Sequence, residues 1–402
     1  MVHRRIVLRV AALILASAFL FGCNIGALFN PTLEPPATSD DSSPGDPSDD
    51  AIGDSGGSAG GDDSGPISVT ARTLSTELSA ALSTESMLTE GEVAAVIAAA
   101  EREAGDLDSF DIGSALPLLV AGAQQGIGAL PGLSDDDRLE LVRLIAKQAA
   151  RSIRGRHDQV ALSGSSSRGL DPNAAALENI LSKIARASVA NINRTGISSS
   201  RVGEAAGAAT SSLVSSLGDG GLRKEHLNKA VQEIARGAVQ GLTESGLTED
   251  QAIKGAVERI TQGATEGVSA LRVDGVEDRD LPTLVSEVAS GATSGVESLA
   301  SDATSFSGLI ENVTAGAAKG VEKVKTARQA TIQAADVEGM VAGIAAGATR
   351  GVKSATIVNI QDTTTTKSVI TTITESTPRP VSTIDLSGIT GWSTAGARQK
   401  AA

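Results

Sequence analysis

The sequence contains very few aromatic residues: five phenylalanines, one tryptophan and no tyrosine among 402 residues. Beyond the amino-terminal apolar segment, the remaining aromatics are Phe29, Phe110, Phe306 and Trp392. The core must therefore be built from Ala, Val, Ile and Leu. Proteins that stack nucleic-acid bases use aromatic platforms, and drug-sized ligand pockets are usually lined with aromatic side chains. The composition argues against both kinds of site.

Cysteine and histidine are also scarce, with one cysteine and three histidines in the chain. A single cysteine, Cys23, allows neither an internal disulfide nor a thiolate metal site. His157 and His226 lack the spacing of a zinc motif, and no glycine-rich nucleotide-binding string occurs. Acidic runs such as Asp135 to Asp137 are typical of the first turn of a helix. We predict no metal, no cofactor and no enzymatic activity.

The charge is strongly negative. The formal net charge is −14, and it becomes −17 when Arg4, Arg5 and Arg9 of the amino-terminal segment are removed. A polyanion repels the phosphate backbone, so nucleic acid is excluded as a partner.

The first residues read as an export signal. A basic start is followed by the apolar run Val10 to Phe21, which is shorter than the roughly 20 residues that cross a bilayer. The run ends in Leu20-Phe21-Gly22-Cys23, which resembles the lipobox of bacterial lipoproteins. The resemblance covers the first 23 residues only.

This resemblance implies that residues 1–22 are a signal peptide and that Cys23 becomes the mature amino terminus. In that family the cysteine carries a diacylglycerol and an amide-linked acyl chain such as palmitate. Two or more acyl chains anchor a protein stably, whereas one holds only marginally. In a host with two membranes, Asn24 lacks the aspartate that retains such proteins in the inner membrane. The expected location is the cell envelope, by default the outer membrane.

Residues 23–66 form a second segment, which contains the lipidated cysteine followed by a linker rich in Pro, Ser, Gly and Asp. Between Glu34 and Asp63 there are nine acidic and no basic residues. Such a segment repels itself and cannot bury a core, so it predicts a disordered linker that holds the body away from the membrane.

Residues 67–355 are a repeat. The unit is an aliphatic residue, two variable positions, Gly-Ala, two variable positions, Gly and a second aliphatic residue, as in "ITQGATEGV" from Ile260 to Val268. Weaker copies, such as "IARASVANI" from Ile184 to Ile192, have other residues at the glycine sites. Upstream apolar residues continue the same helical face. We predict an all-α array of about ten antiparallel amphipathic helices, arranged as a solenoid or as a bundle.

The repeated glycines lie inside helices, where each costs about 0.8–1.0 kcal/mol relative to alanine. The cost is offset if the missing side chains let a neighbouring backbone approach closely. The variable positions, such as Arg236, Gln262, Ser290 and Lys319, are predicted to face solvent. The glycines predicted to pack helices are Gly122, Gly126, Gly237, Gly241, Gly263, Gly267, Gly291, Gly295, Gly316, Gly320, Gly347 and Gly351.

Residues 356–402 break the pattern. "ATIVNI" and "SVITTIT" suit a short β-hairpin, and a loosely ordered Thr-rich extension fits them equally well.

Two functions follow as expectations. The first is a lipid-anchored, non-catalytic envelope lipoprotein that acts as a structural or protein-interaction scaffold, with the membrane as partner through Cys23 and an unidentified envelope protein as partner of the body. The second is a membrane-active or pore-associated protein, because repeated small residues four apart also join helices in lipid.

Overall fold

A computed structural model of the chain describes residues 71–105, 112–153, 172–219 and 221–355. The chain divides into two compact units, Met1–Asp62 and Asp63–Ala402, and every described residue belongs to the second. Cys23, the acidic linker and the extension 356–402 lie outside the described residues. The lipid attachment and the β-hairpin therefore stay predictions.

The described residues form eleven α-helices and short 3₁₀ turns, and they contain no strand. This confirms the all-α fold. The helices are α1 Ala71–Glu85, α2 Glu90–Ala104, α3 Ile112–Ala129, α4 Asp135–Arg151, α5 Pro172–Ala190, α6 Val202–Ser215, α7 Lys224–Gly241, α8 Asp250–Ala270, α9 Leu281–Val296, α10 Ala303–Ala327 and α11 Ala334–Ser354.

Several helix starts follow from local capping chemistry. Ser134 caps α4: its side chain accepts from the Asp137 N–H, and the Asp137 carboxylate accepts from the Ser134 N–H at 2.9 Å. Thr248 has a residue type that suits an N-cap, but it does not cap α8. Glu249 holds the N-cap position, and its carbonyl accepts the first helical hydrogen bond from the Ile253 N–H at 3.0 Å. Thr248 therefore lies just outside the helix.

The helices stack in two rows. The first row contains α2, α3, α5, α7, α9 and α11, and the second contains α1, α4, α6, α8 and α10. From α5 onward, the most extensive contacts join helices two apart in the chain, and consecutive helices contact each other less across the two rows. Within the described ranges, extensive contacts join only helices up to three apart in sequence. This succession of neighbour contacts is consistent with a bundle or a solenoid.

Alternate helices run parallel, because contacts advance together along both. Gly237 of α7 lies against Ser182 of α5, and Gly241, one turn later, lies against Arg186. We expected consecutive helices, which run antiparallel, to make the close contacts. From α5 onward the closest contacts instead join parallel helices, because each glycine face points along its row and the aliphatic stripe points toward the other row.

The core between the rows is aliphatic, with Phe306 as its largest fully buried side chain. Buried threonines also contribute. The hydroxyls of Thr210, Thr261, Thr265 and Thr349 each donate to the carbonyl four residues earlier in the same helix. Their polar atoms are thus satisfied internally, and the methyl groups are free to pack.

Candidate functional site: the glycine seams

We use the word seam for the contact between two successive helices of one row. In five seams, from α5–α7 to α9–α11, the later helix presents the Gly-Ala-x-x-Gly face. A Cβ added to the first glycine would lie 2.0–2.2 Å from a carbonyl oxygen of the earlier helix, far inside contact distance. The pairs are Gly237 with Ser182, Gly263 with Gly207, Gly291 with Gln232, Gly316 with Glu258 and Gly347 with Ser286.

The second glycine of each face has a similar environment. An added Cβ would lie 2.5–3.0 Å from the next carbonyl oxygen, one turn along the earlier helix. It would also lie 2.4–3.0 Å from the Cβ of a β-branched residue that packs over the glycine. The second glycines are Gly241, Gly267, Gly295, Gly320 and Gly351, and the β-branched residues over them are, in the same order, Val189, Val214, Val239, Thr265 and Thr293.

The sequence analysis did not assign a role to these β-branched residues. The signal was present, because Val239, Thr265 and Thr293 all stand two positions after the first glycine of their own helices. Each helix from α7 to α9 therefore contributes glycines to the preceding seam and a β-branched residue to the following one.

The geometry accounts for the cost of the glycines. A Cα–Cβ bond is about 1.5 Å long, so an oxygen about 2.0 Å from the added Cβ lies within about 3.5 Å of the glycine Cα. This is the range of Cα–H···O contacts, worth about 0.5–1 kcal/mol each. This contact at the first glycine, together with the dispersion gained by close backbones along both glycines, offsets the cost of placing glycines in the helix.

Gly122 and Gly126 of α3 serve a different seam. Added Cβ atoms would lie 2.6 Å from the Cα of Ala100 and 2.8 Å from the Cα of Val96 in α2. The partner numbers fall as the glycine numbers rise, so α2 runs antiparallel to α3. All twelve glycines named from the sequence thus lie where a Cβ would collide with a neighbouring helix.

The prediction that the variable positions face solvent was wrong for one of the four residues. Lys319 is exposed, and Arg236 and Gln262 are half-buried, but Ser290 is buried at 3 % exposure. Its hydroxyl lies 3.1 Å from Nε2 of Gln232 on α7. Ser290 is small enough to enter the α7–α9 seam, so the seam covers it.

Three seams lack the glycine pair. One is α1–α4, where Gln148 and Ser152 of α4 occupy the glycine positions, and the other two, α3–α5 and α4–α6, form what we call the joint. In the α3–α5 seam, Ala187 and Asn191 occupy the glycine positions of α5, and in the α4–α6 seam Ala208 and Ser212 occupy those of α6. Both seams have less extensive contacts than the five glycine seams. An open groove of about 460 Å³ runs along α3–α5, lined by Pro117, Leu118, Lys183, Ala187 and Asn191 among others.

The α3–α5 seam also buries polar atoms. Nε2 of Gln124 donates to the Ser188 carbonyl at 2.8 Å. Oε1 of Gln124 and Oγ of Ser188 are buried without a hydrogen-bond partner among the described residues. An unsatisfied buried polar atom costs about 1–3 kcal/mol, so the α3–α5 seam carries a penalty at its centre.

Two carboxylates near the start of α4 have structural partners. Asp136 pairs with Arg201, and the Ser134 hydroxyl and N–H lower the pKa of Asp137. His226 lies half-buried on α7, and His157 lies outside the described residues. Within the described ranges, no group of three His, Cys, Asp or Glu side chains is placed to hold a metal ion.

In the part of the chain that the structure describes, every helix is too short or too polar to span a bilayer. Comparison with known proteins finds no relative: no protein-family model matches the chain, and no curated protein matches its sequence.

Proposed function

We propose that the chain is a lipid-anchored, non-catalytic lipoprotein of the bacterial envelope, in which the helical array acts as a structural or protein-interaction scaffold. Cys23 carries the acyl chains, the acidic linker separates the membrane from the body, and the array presents its surface to another envelope protein.

The anchoring part of the proposal is supported by the sequence around Cys23. The cysteine ends an apolar run too short to span a bilayer, follows a small residue, and is the single cysteine of the chain. Two acyl chains on this residue would hold the protein to a membrane without any spanning helix.

The scaffold part is supported by one observation: the repeated residues of the array are used in helix packing. Glycines, β-branched residues and aliphatic residues recur from helix to helix and are buried, whereas positions such as Arg236, Gln262 and Lys319 differ and reach the surface. A repeated fold with a variable polar surface is typical of stacked arrays that bind other proteins.

Lipid attachment is tested by metabolic labelling of the full chain with a radioactive fatty acid in a bacterial host. We expect the label on the parent chain and none on a Cys23→Ser variant, which differs by one atom. The parent should sediment with membranes and the variant should not. An unlabelled parent chain in a membrane-free fraction would contradict the anchor.

The scaffold is tested in intact cells with a photo-crosslinking amino acid at the exposed positions Lys319 and Asn228. We expect adducts with a defined envelope protein, and no adducts with the same residue at the buried position Phe306 of folded protein. Absence of adducts from every exposed position would contradict a scaffold role.

The membrane-active alternative rests on the small residues four apart. Every described array helix except α3 carries charges, such as Lys254 and Glu258 on α8, and charges inside lipid cost several kcal/mol. Dye release from vesicles by a Cys23→Ser chain would favour this alternative over the scaffold.

A further inference from the structure

Helix α11 ends the first row within the described residues, where its extensive contacts are with α9 and α10. In the seam before it, Ala289 and Thr293 of α9 lie against the glycine face of α11, which covers them. Ala345 and Thr349 hold the same motif positions on α11. If the row ended with α11, these two residues would face solvent.

Both residues of α11 are instead buried. Ala345 is 0 % exposed, and Thr349 is 2 % exposed. The Thr349 hydroxyl donates to the Ala345 carbonyl at 2.8 Å, so its polar atom is satisfied within the helix. What the side of α11 presents outward is therefore apolar, and its burial requires another part of the molecule to lie against it.

The end of the second row lacks such cover. Helix α10 is the last described helix of that row, and Ala318 holds the position on α10 that Thr349 holds on α11. Ala318 is only half-buried, although α11 follows α10 in the chain and contacts it. The last helix of a row thus leaves this position partly open. The burial of Thr349 requires an additional element.

The cover extends over the carboxyl-terminal half of α11. Glu338, two turns before Ala345 on the same side of the helix, is exposed. The chain leaves α11 through Ala355, which is buried and has an extended backbone with φ −71° and ψ 139°. The covered residues therefore lie on the part of α11 nearest to the point where the chain continues into residues 356–402.

The first residues of this extension are long enough to reach the covered side. Ala345 lies ten residues before Ala355, which is about 15 Å along a helix that rises about 1.5 Å per residue. An extended chain advances about 3.3 Å per residue, so about five residues span that length. The five that follow Ala355 are "TIVNI", Thr356 to Ile360, and four of them are β-branched, like the residues that pack over the second glycines in the seams.

We propose that residues 356–360 turn back along α11 and cover Ala345 and Thr349, so that the carboxy-terminal extension is the end cap of the first row. Arrays whose repeats contact only their neighbours need terminal elements that close the core and present a polar outer face. The polar run Gln361 to Lys367, "QDTTTTK", supplies such a face directly after the covering residues. The proposal concerns the end of the array and does not depend on the anchor or on the scaffold role.

The experiment measures how fast a buried thiol reacts with iodoacetamide. In a Cys23→Ser background, Thr349→Cys places the single thiol of the chain under the proposed end cap. Thr293→Cys is the matched control, because it stands at the same motif position on α9 and is covered by α11.

Each thiol is studied in three forms of the protein. The first is the full chain, the second ends after Ala355, and the third is the full chain with Ile357→Asp and Ile360→Asp. We expect the Thr349→Cys thiol to react slowly in the full chain and at least about ten times faster in the other two forms, because a thiol must be accessible to react. The Thr293→Cys thiol should stay slow in all three.

The control thiol and the circular dichroism separate loss of the end cap from unfolding. If the shortened chain unfolds, both thiols become reactive in it, and the aspartate form of the full chain decides. A Thr349→Cys thiol that stays slow in either altered form while that form is folded would overturn the proposal, as would a fast reaction in the full chain. A second copy of the chain as the cover would make the full-chain reaction faster on dilution and would also overturn it. We expect no dependence on protein concentration.

Discussion

Helices α5–α11, which we call the carboxy-terminal block, and the joint are built from the same repeat with one difference. In the block, α9 presents Gly291 and Gly295 to α7, and backbone meets backbone. In the joint, α5 presents Ala187 and Asn191 to α3, and a groove lies beside the contact. The aliphatic stripe toward the other row is present in both. The difference shows that the stripe is sufficient to form the helices and the rows, and that the glycines determine how closely a row packs.

Both regions bury polar side chains. In the block, the Ser290 hydroxyl lies within hydrogen-bond distance of Gln232 across the seam. In the joint, Ser188 is fully buried and its hydroxyl has no partner among the described residues. The block also contains such an atom, because Oγ1 of Thr293, over Gly351, is buried without a partner among the described residues.

The largest expected effect comes from filling a glycine seam. Gly263→Leu with Gly267→Leu places two bulky side chains against the backbone of α6, and we expect the free energy of unfolding to fall by at least about 3 kcal/mol. Thermal melting measures the change. The matched control, Ala187→Leu, fills the same motif position at the joint and should change stability by less than about 1 kcal/mol because the groove accepts the side chain. Equal losses from both variants would contradict the comparison.

A smaller effect distinguishes the buried serines. Ser188→Ala removes an unsatisfied hydroxyl and should raise the free energy of unfolding by about 1–2 kcal/mol. Ser290→Ala removes a hydroxyl that has a partner. Its free energy of unfolding should therefore lie at least about 1 kcal/mol below that of Ser188→Ala. Helix propensity changes equally in the two variants and cancels. Urea unfolding at fixed pH gives both values, and a Ser290→Ala variant as stable as Ser188→Ala would contradict the assignment of the orphaned atom.

The smallest expected effects depend on pH. At the joint, hydrogen bonding and charge from Arg201 lower the pKa of Glu204. A lowered folded pKa gives stability that is present at neutral pH and lost as the pH falls through the folded pKa. Glu204→Gln should therefore destabilise the protein at pH 7 by less than about 1 kcal/mol, and the deficit should vanish in acid.

Glu178 in the α5–α7 seam should behave in the opposite way. Burial raises its pKa, with Lys229 and His226 opposing and Glu233 reinforcing the shift. A raised carboxyl pKa means that the ionised form weakens the fold, so stability rises as the pH falls through the folded pKa. Glu178→Gln should stabilise the protein at pH 7, and the gain should disappear in acid. Melting curves from pH 3 to pH 8 test both variants, and effects of the same sign would refute the assignments.

The sequence was sufficient to predict the helices and their packing faces, because a periodicity of 3.6 residues identifies a face and an interior glycine needs a compensating contact. It was not sufficient to identify the partner helix. Gly263 could have met the preceding helix α7, and the structure places it against α6, since a sequence pattern describes one face and not what covers it. The exposure of Ser290 was predicted wrongly for the same reason.

The joint could have been found earlier. The weak copies around Gln148, Ala187 and Ala208 are three successive units of the sequence, and they mark the helices α4 to α6, which lack the glycine pair. The groove and the orphaned atoms of Gln124 and Ser188 could not have been predicted, because they depend on how far apart two helices rest when a side chain separates them.

The central claim is that glycines in the seams are required by close backbones. Helix α8 tests it within a single element, because it holds Gly263, where an added Cβ would lie 2.0 Å from the Gly207 carbonyl oxygen, and Gly255, which has no atom within 4 Å of that position. We predict that Gly255→Ala raises the free energy of unfolding by about 0.8–1.0 kcal/mol through helix propensity, and that Gly263→Ala lowers it by about 1–3 kcal/mol through overpacking. If calorimetry shows that both substitutions stabilise the protein, the close-packing account is wrong.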